Sequence, residues 1–270
     1  MSRLPAVVRA AWTPGRAEPS HRSEMTTCWL LGETPSLLEE REAWVRLRGA
    51  DGHEAWTTRG SLLLGDEVED WQERASLVSL GTRLTDAPEG AAALAPWGSR
   101  LVPAAAGAVE LPGGEVVRPA ASERLVAEGE RARRFPPDPA AAAATAEEWL
   151  GSPYLWGGRM GEGVDCSGLV QATFALHGIP LPRDSRDQSR SGAAVEGGLA
   201  EAVRGDLVFF AWAGRPVSHV GIALGVGRLL HASETRGCVA VDDLGGDGAS
   251  ARTLREGLAA VRRLPGRAFP

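Results

Sequence analysis

The chain has 270 residues, 43% of them hydrophobic, which is enough for roughly two or three small domains with apolar cores. Its 29 basic residues, all arginine, and its 35 acidic residues give a formal net charge of −6, which argues against a nucleic-acid partner. No apolar run approaches the roughly 18 residues of a membrane span, and the N-terminus lacks the apolar core of a secretory signal.

Short runs of strand-forming residues, separated by turn clusters, characterise the first part of the chain. They fall at residues 6–10, 29–31 and 44–48. The run from Trp44 to Arg48 alternates apolar and polar residues, which is typical of a half-buried strand. Several short strands of this kind predict a small β-barrel. With the pattern SEMTTCWLLGE…LLEEREAWVRLRGADGHEAW, residues 1–68 resemble a bacterial SH3-like barrel.

Residues 69–132 repeat this pattern more faintly, with strands predicted at 77–80, 98–103 and 113–117. We interpret the segment as a second, degenerate SH3-like barrel. Three prolines within RARRFPPDPAAAAA then stiffen a linker and start a helix at about residues 140–150. The third predicted domain, residues 133–270, begins with this linker.

The segment CSGLVQATFALH, residues 166–177, has apolar residues at helical spacing. Asp165 is a natural N-cap and Gly178 suits the C-terminal end, so Cys166 is predicted in the first turn of the helix. The exposed N–H groups and the helix dipole favour a thiolate there, and the same N–H groups suit an oxyanion. The alternative is that Cys166 is a buried small hydrophobic residue, as most free cysteines are.

Two histidines follow on a predicted β-hairpin, formed by residues 217–224 and 228–233 around a three-residue loop. In that register His219 and His231 lie nearly opposite each other on one face, about 5 Å apart at Cβ. One imidazole can take the thiol proton and the other can orient it. The chain contains no asparagine, so a papain-type Asn cannot be the third member. A structural role is the alternative for each histidine.

The motifs LGSPYLWGG, GVDCSGLVQ, HGIPLPRDSRDQ, GDLVFF, SHVGIAL and LLHAS occur in this order between residues 149 and 241. They resemble the NlpC-type cell-wall peptidases, a papain-like cysteine peptidase family. Together with the two N-terminal SH3-like barrels predicted above, the resemblance gives a multidomain α+β protein that ends in a papain-like domain. It implies Cys166 as nucleophile, His219 as general base and acid, and His231 as orienter.

The same resemblance implies further site residues. Tyr154 lies beside the nucleophile with its hydroxyl near the oxyanion, the alternative being a buried aromatic residue. Asp165 and Ser185 match positions that bind the free amine of a peptide substrate, and Ser167 lines the same pocket. A plain N-cap and a turn residue are the respective alternatives for Asp165 and Ser185.

In three-domain members of the family the first barrel supplies groups for the substrate amine. By that resemblance Glu24 is a candidate carboxylate. His53 stands where the family pattern carries a tyrosine, which weakens its assignment. A solvated barrel surface is the alternative for both residues.

The odd number and wide spacing of Cys28, Cys166 and Cys238 fit free thiols in a reducing compartment, so a cytoplasmic location is predicted. No metal cluster is recognisable, and no cofactor is predicted.

The predicted function is a cysteine endopeptidase that cuts the γ-D-glutamyl–diamino acid bond of peptidoglycan stem peptides with a free N-terminal L-Ala, in cell-wall peptide recycling. One alternative is an SH3-mediated cell-wall binding protein with a vestigial peptidase. Another is an amidase or acyltransferase on the same fold.

Overall fold

The computed structural model describes residues 6–65, 68 and 70–266. The described chain divides into two units. One comprises the residues up to Arg131 together with Trp156–Gly161, and the other comprises Ala132–Leu155 and the residues from Glu162 onwards. The predicted domain boundary lies between residues 68 and 69. Residues 66, 67 and 69 are outside the described residues. The division into three domains therefore stays a prediction.

The N-terminal part of the first unit is built from short antiparallel strands, as its turn-separated β-forming runs predict. A five-stranded sheet has the order β3-β2-β6-β5-β4, and β1 pairs separately with β7. The β5 strand matches the predicted residues 44–48, with Val45 and Leu47 buried and their neighbours partly exposed. The strands are β1 Ala6–Val8, β2 Trp12–Arg16, β3 Met25–Leu30, β4 Ser36–Arg41, β5 Trp44–Arg48, β6 Glu54–Thr58 and β7 Leu62–Leu64.

A second antiparallel sheet follows the short helix α1, Trp71–Arg74, in the order β11-β10-β9-β8-β12. Because β11 also pairs with β8, the strands β8 to β11 close into a ring. The strands are β8 Leu77–Thr85, β9 Leu94–Pro103, β10 Val109–Glu110, β11 Val116–Pro119 and β12 Leu125–Ala127. Both sheets agree with the predicted all-β front half, while their SH3-like nature stays a prediction.

Two helices occupy the predicted linker, α2 at Glu128–Arg134 and α3 at Pro139–Glu147. Asp138 caps α3 by accepting a hydrogen bond from the Ala140 N–H at 2.9 Å, and Pro139 fills the first turn, where no N–H is needed. Gly205 lies against this helix start with φ of +93°. A Cβ there would meet the Pro139 carbonyl oxygen at 2.5 Å, so only glycine fits.

The second unit contains a six-stranded antiparallel sheet in the order β15-β20-β16-β17-β18-β19. Its central strands are apolar and buried on both faces. Two short strands precede the sheet in the chain: β13, Arg159–Met160, belongs to the first unit, and β14, Gly163–Val164, belongs to the second. The sheet strands are β15 Ala193–Ala194, β16 Leu207–Phe210, β17 His219–Gly225, β18 Arg228–Ser233, β19 Cys238–Asp243 and β20 Leu258–Arg263.

Three further helices complete the second unit: α4 at Cys166–Leu176, α5 at Ser185–Gln188 and α6 at Ala249–Gly257. The α4 helix packs on β17, β18 and α3, and α6 contacts β19. The fold is therefore the predicted mixed α+β class. In the described part of the chain, no helix is both long enough and apolar enough to cross a membrane.

Candidate active site

Cys166 is the first residue of α4, where the sequence predicts it. Asp165 caps the helix, its Oδ1 accepting a hydrogen bond from the Gly168 N–H at 2.7 Å. Gly178, with φ of +69°, follows the C-terminal end of the helix. The Cys166 side chain is buried, and the backbone N–H groups of Val220 and Ser167 donate toward its sulfur. The thiol therefore lies beside the residue that follows His219.

His219 and His231 meet on one face of the sheet, 2.7 Å apart between His219 Nε2 and His231 Nδ1. The observed turn between β17 and β18 is the two residues Val226 and Gly227, rather than the predicted three, because the register shifts between Ala223 and Gly225. Ile222 faces Leu230, so the two imidazoles are diagonal neighbours and not directly opposite. The even separation still keeps both on the same face.

The hydrogen-bonded pair continues to a residue that the motif analysis missed. His231 Nε2 lies 3.0 Å from Asp242 Oδ2, and Asp242 is only 3% exposed. Asp242 stands on β19, whose Ala240 pairs with His231, so its side chain is on the same face one diagonal step away. The signal in the sequence was the acidic end of VAVDD, one residue beyond the segment 149–241 that contains the motifs.

Burial is the largest influence on the protonation of Cys166 and His219. It raises the pKa of the Cys166 thiol to about 12, and the charge of Asp165 adds to this, while the Val220 N–H and Arg183 oppose it. Burial, and then the charge of His231, lower the pKa of His219 to about 3. Both shifts favour a neutral thiol and a neutral imidazole in the resting pair. Burial thus opposes the thiolate that the N–H groups and the dipole of the helix N-terminus favour.

Ion pairing surrounds the N-terminus of α4. The Arg183 guanidinium donates to both carboxylate oxygens of Asp165, at 3.1 Å and 2.5 Å, and to the Ser167 hydroxyl at 2.9 Å. Ser167 in turn donates to Asp165 Oδ1 at 3.1 Å. The Gln188 amide donates to the Ser167 and Pro182 carbonyls, which ties the Pro182–Gln188 loop to the helix. Asp165 and Ser167 thus belong to one buried polar cluster.

The part of the chain that carries these residues is similar to known proteins. Residues 151–257 match the model of the NlpC/P60 family, and this segment is an NlpC/P60 domain. Two similar proteins are named gamma-D-glutamyl-L-lysine dipeptidyl-peptidase. The one from Bacillus subtilis is 43% identical over 93 residues (34% of this chain, 31% of that protein), and the one from Bacillus cereus is 38% identical over 123 residues (45% and 35%). The chain therefore spans about a third of the length of these curated relatives.

A crystal structure of an NlpC/P60 family protein from Bacillus cereus ATCC 10987 superimposes with a TM-score of 0.80. It covers 97% of this chain and 100% of that one at 22% identity. At this identity the match shows a shared fold, and it extends over both units of the chain. It agrees with the mixed α+β architecture described above.

Tyr154 is half-buried in the NlpC/P60 domain. Its N–H donates to the Gly237 carbonyl at 2.8 Å, and its backbone bridges to Val164, two residues before Cys166. Burial, and then the charges of Cys166 and Asp165, raise the pKa of its phenol. Within the described residues its hydroxyl has no hydrogen-bond partner. Tyr154 therefore remains a neutral phenol able to donate a hydrogen bond to a ligand.

Ser185, the first residue of α5, is a second available hydroxyl. It is buried, and within the described part of the chain its Oγ has no hydrogen-bond partner. This differs from Ser167, whose hydroxyl is already bonded to Asp165 and Arg183.

The predicted first-barrel residues lie in the other unit. Glu24 is exposed and accepts a hydrogen bond from the Trp156 indole at 2.8 Å. His53 Nε2 lies 3.1 Å from the Thr26 hydroxyl. Trp156 lies in the segment Trp156–Gly161, which belongs to the first unit together with Glu24. In the same segment, Arg159 forms an ion pair with Glu33. The contribution of Glu24 and His53 to a substrate site stays a prediction.

The described residues contain no group of three or more His, Cys, Asp or Glu side chains that could hold a metal ion. We call the hydrogen-bonded side chains from His219 through His231 to Asp242 the polar line.

Acid is expected to destabilise the fold through the two site histidines. Burial lowers the pKa of His219 to about 3 and also lowers that of His231, against the opposing effect of Asp242. Below about pH 6.5 the unfolded chain binds protons that the folded chain does not. The free energy of unfolding should therefore fall as pH drops from about 6.5, by at most about 1.4 kcal/mol per pH unit for each histidine.

Urea unfolding followed by circular dichroism at about pH 7.5, 6.0 and 5.0 measures this slope. His219→Gln should reduce it by about one histidine's share. His21→Gln, at an exposed side chain of the first unit, is the matched control for the substitution itself and should change the free energy of unfolding at about pH 7.5 by less than about 0.5 kcal/mol. A wild-type slope equal to that of His219→Gln would contradict the prediction.

Proposed function

We propose that the protein is a cysteine peptidase that cleaves peptidoglycan-derived peptides. The observation that carries this proposal is the hydrogen-bonded line from His219 through His231 to the buried Asp242, beside a cysteine at a helix N-terminus. The NlpC/P60 match and the peptidase names of the similar proteins support the same reaction class.

The reaction follows from the neutral resting pair. As the Cys166 sulfur attacks the substrate carbonyl, its proton passes to His219, so the buried thiolate never exists without its imidazolium partner. The oxyanion forms next to the N-terminus of α4, where the backbone N–H groups and the neutral Tyr154 hydroxyl are available donors. His219 then gives its proton to the leaving amine. Water, deprotonated by His219, cleaves the thioester and restores the thiol.

The proposed bond is the γ-D-glutamyl–diamino acid amide of a stem peptide with a free N-terminal L-Ala. The names of the two dipeptidyl-peptidases give a γ-D-glutamyl-L-lysine bond and a dipeptidyl cut, which support the proposed bond by analogy. The free N-terminal L-Ala is what the family resemblance implies. A dipeptidyl cut requires recognition of the substrate N-terminus. We assign that role to Asp165 and the unbonded hydroxyl of Ser185, with Ser167 lining the pocket. Such an ammonium exists only on released peptides, which is why we propose a role in cell-wall peptide recycling.

Because a charge-assisted bond to a buried carboxylate is lost on acetylation, we expect the substrate N-terminus to decide turnover. The protein is incubated with L-Ala-γ-D-Glu-meso-diaminopimelate and with its N-acetylated form, and products are identified by mass spectrometry. The free peptide should release L-Ala-D-Glu, and the acetylated one should react at least about 100-fold more slowly.

Equal cleavage of both peptides would retain the peptidase and overturn the amine pocket. Absence of cleavage, combined with tight sedimentation with purified sacculi, would favour a cell-wall binding protein instead. Transfer of the dipeptide to an added amine, without hydrolysis, would identify an acyltransferase.

A further inference from the structure

We infer that Asp242 is a positioning residue that fixes the tautomers of both histidines, and that Arg236 fixes the orientation of Asp242. The inference rests on the proposed function, in which His219 takes the thiol proton. Two residues beyond the cysteine and the two histidines thereby receive roles. Asp242 contacts His231, and Arg236 contacts Asp242.

The carboxylate of Asp242 contacts the side chains of His231, Ser250 and Arg236. Oδ2 faces His231 Nε2 at 3.0 Å and accepts a hydrogen bond from the Ser250 hydroxyl at 2.7 Å. Oδ1 accepts from the Arg236 guanidinium. Burial alone would raise the pKa of Asp242, but the hydrogen bonds from Ser250 and His231 and the charge of Arg236 outweigh it and hold that pKa below its usual value. Asp242 is therefore a carboxylate and can only accept hydrogen bonds.

A carboxylate at this position determines where each proton of the neutral histidines sits. His231 must carry its proton on Nε2, since it faces an acceptor there, which leaves Nδ1 as a lone pair. His219 Nε2, 2.7 Å from that lone pair, must then carry the proton of His219. The remaining nitrogen, Nδ1 of His219, is unprotonated and able to receive the thiol proton. Asp242 therefore determines which ring nitrogen of each histidine carries the proton.

Arg236 restricts how an amide side chain at position 242 can be oriented. In Asp242→Asn the side chain has one oxygen and one NH₂ group. Because a guanidinium only donates, the amide oxygen must face Arg236, and the NH₂ group must face His231 and Ser250. His231 Nε2 then becomes an acceptor, its proton moves to Nδ1, and His219 in turn carries its proton on Nδ1. The nitrogen that should receive the thiol proton is already protonated.

The activity test compares four variants with the wild type on L-Ala-γ-D-Glu-meso-diaminopimelate. Asp242→Asn should lower kcat by about 10²–10⁴-fold with KM changed little, comparable with the loss from a wrong histidine tautomer in serine proteases. Asp243→Asn is the matched control: it removes the same charge from the neighbouring exposed residue and should stay within about twofold. Arg236→Ala alone should cost less than about tenfold.

The decisive variant is the double substitution Asp242→Asn with Arg236→Ala. Without the guanidinium the amide can turn its oxygen toward His231, so the original tautomers return and kcat should recover at least about tenfold over Asp242→Asn. A purely structural role for Asp242 predicts the opposite, since removing both partners of one ion pair would lower activity further. No recovery in the double variant overturns the inference.

A second readout does not depend on turnover. Two-dimensional ¹⁵N NMR of the histidine rings should show Nε2–H tautomers for His219 and His231 in the wild type, Nδ1–H tautomers in Asp242→Asn, and Nε2–H again in the double variant. Unchanged ring tautomers in Asp242→Asn overturn the inference. If the wild type fails to cleave every peptide offered while the tautomers switch as expected, the proposed function fails and the positioning role stands.

Discussion

Replacing Cys166 with alanine is expected to reduce hydrolysis of L-Ala-γ-D-Glu-meso-diaminopimelate at least about 10⁴-fold, to a rate set by substrate binding and oxyanion donors alone. The physical reason is that the variant lacks the thiol that forms the covalent intermediate. Cys166 is the thiol toward which the Val220 N–H donates, and Val220 adjoins the histidine that ends the polar line. The measurement is kcat/KM by product quantification, with isothermal titration for peptide binding.

The matched control is Cys238→Ala. Cys238 is a free thiol on β19 that pairs with Ser233 and lies outside the polar line, so this variant should retain activity within about twofold. Cys166→Ala should still bind the peptide with an affinity near that of the wild type, because the Asp165–Arg183 cluster is untouched. Full hydrolysis by Cys166→Ala would exclude the cysteine mechanism. Equal binding without turnover in both wild type and variant would identify a vestigial peptidase.

Much of the site could be predicted from local sequence signals. A capping residue before an apolar helical pattern and a glycine after it were sufficient to place Cys166 at the first position of α4. The even separation of His219 and His231 was sufficient to put them on one face of a hairpin, even though the turn was one residue shorter than predicted. Such signals act over a few residues, where backbone geometry leaves little choice.

The parts that could not be predicted depend on register and burial. Asp242 meets His231 only because the turn after β18 sets Ala240 opposite that histidine, and sequence does not fix that register. The pairing of Arg183 with Asp165 joins residues 18 apart through a loop without a helical or strand period. The raised pKa of Cys166 arises from burial by the whole unit, which no local motif reports.

The Asp165–Arg183 ion pair is expected to affect both the free energy of unfolding and the position of the helix that carries Cys166. Arg183 is 3% exposed, and its guanidinium donates to Asp165 through two bonds and to Ser167 through a third. Asp165 in turn caps the helix that carries Cys166. Removal of the guanidinium takes the opposite charge away from a buried carboxylate, and the neutral donors Gly168 N–H and Ser167 hydroxyl cannot replace that charge.

Arg183→Met should therefore lower the free energy of unfolding by about 3–5 kcal/mol, measured by urea denaturation at about pH 7.5. Arg186→Met is the matched control: Arg186 is in α5 and is exposed, so its loss should stay within about 0.5 kcal/mol. Arg183→Lys should recover only part of the loss, because an ammonium cannot make the paired bonds of a guanidinium.

The double variant Asp165→Asn with Arg183→Met separates an unpaired charge from lost packing. The introduced asparagine side chain still offers a capping oxygen to the Gly168 N–H but carries no charge to desolvate, so the double variant should be more stable than Arg183→Met alone. An unfolding free energy for Arg183→Met equal to that of Arg186→Met would show that the ion pair contributes nothing. A double variant less stable than either single variant would assign the loss to packing, and the helix N-terminus would then owe its position to apolar contacts instead of to Asp165 and Arg183.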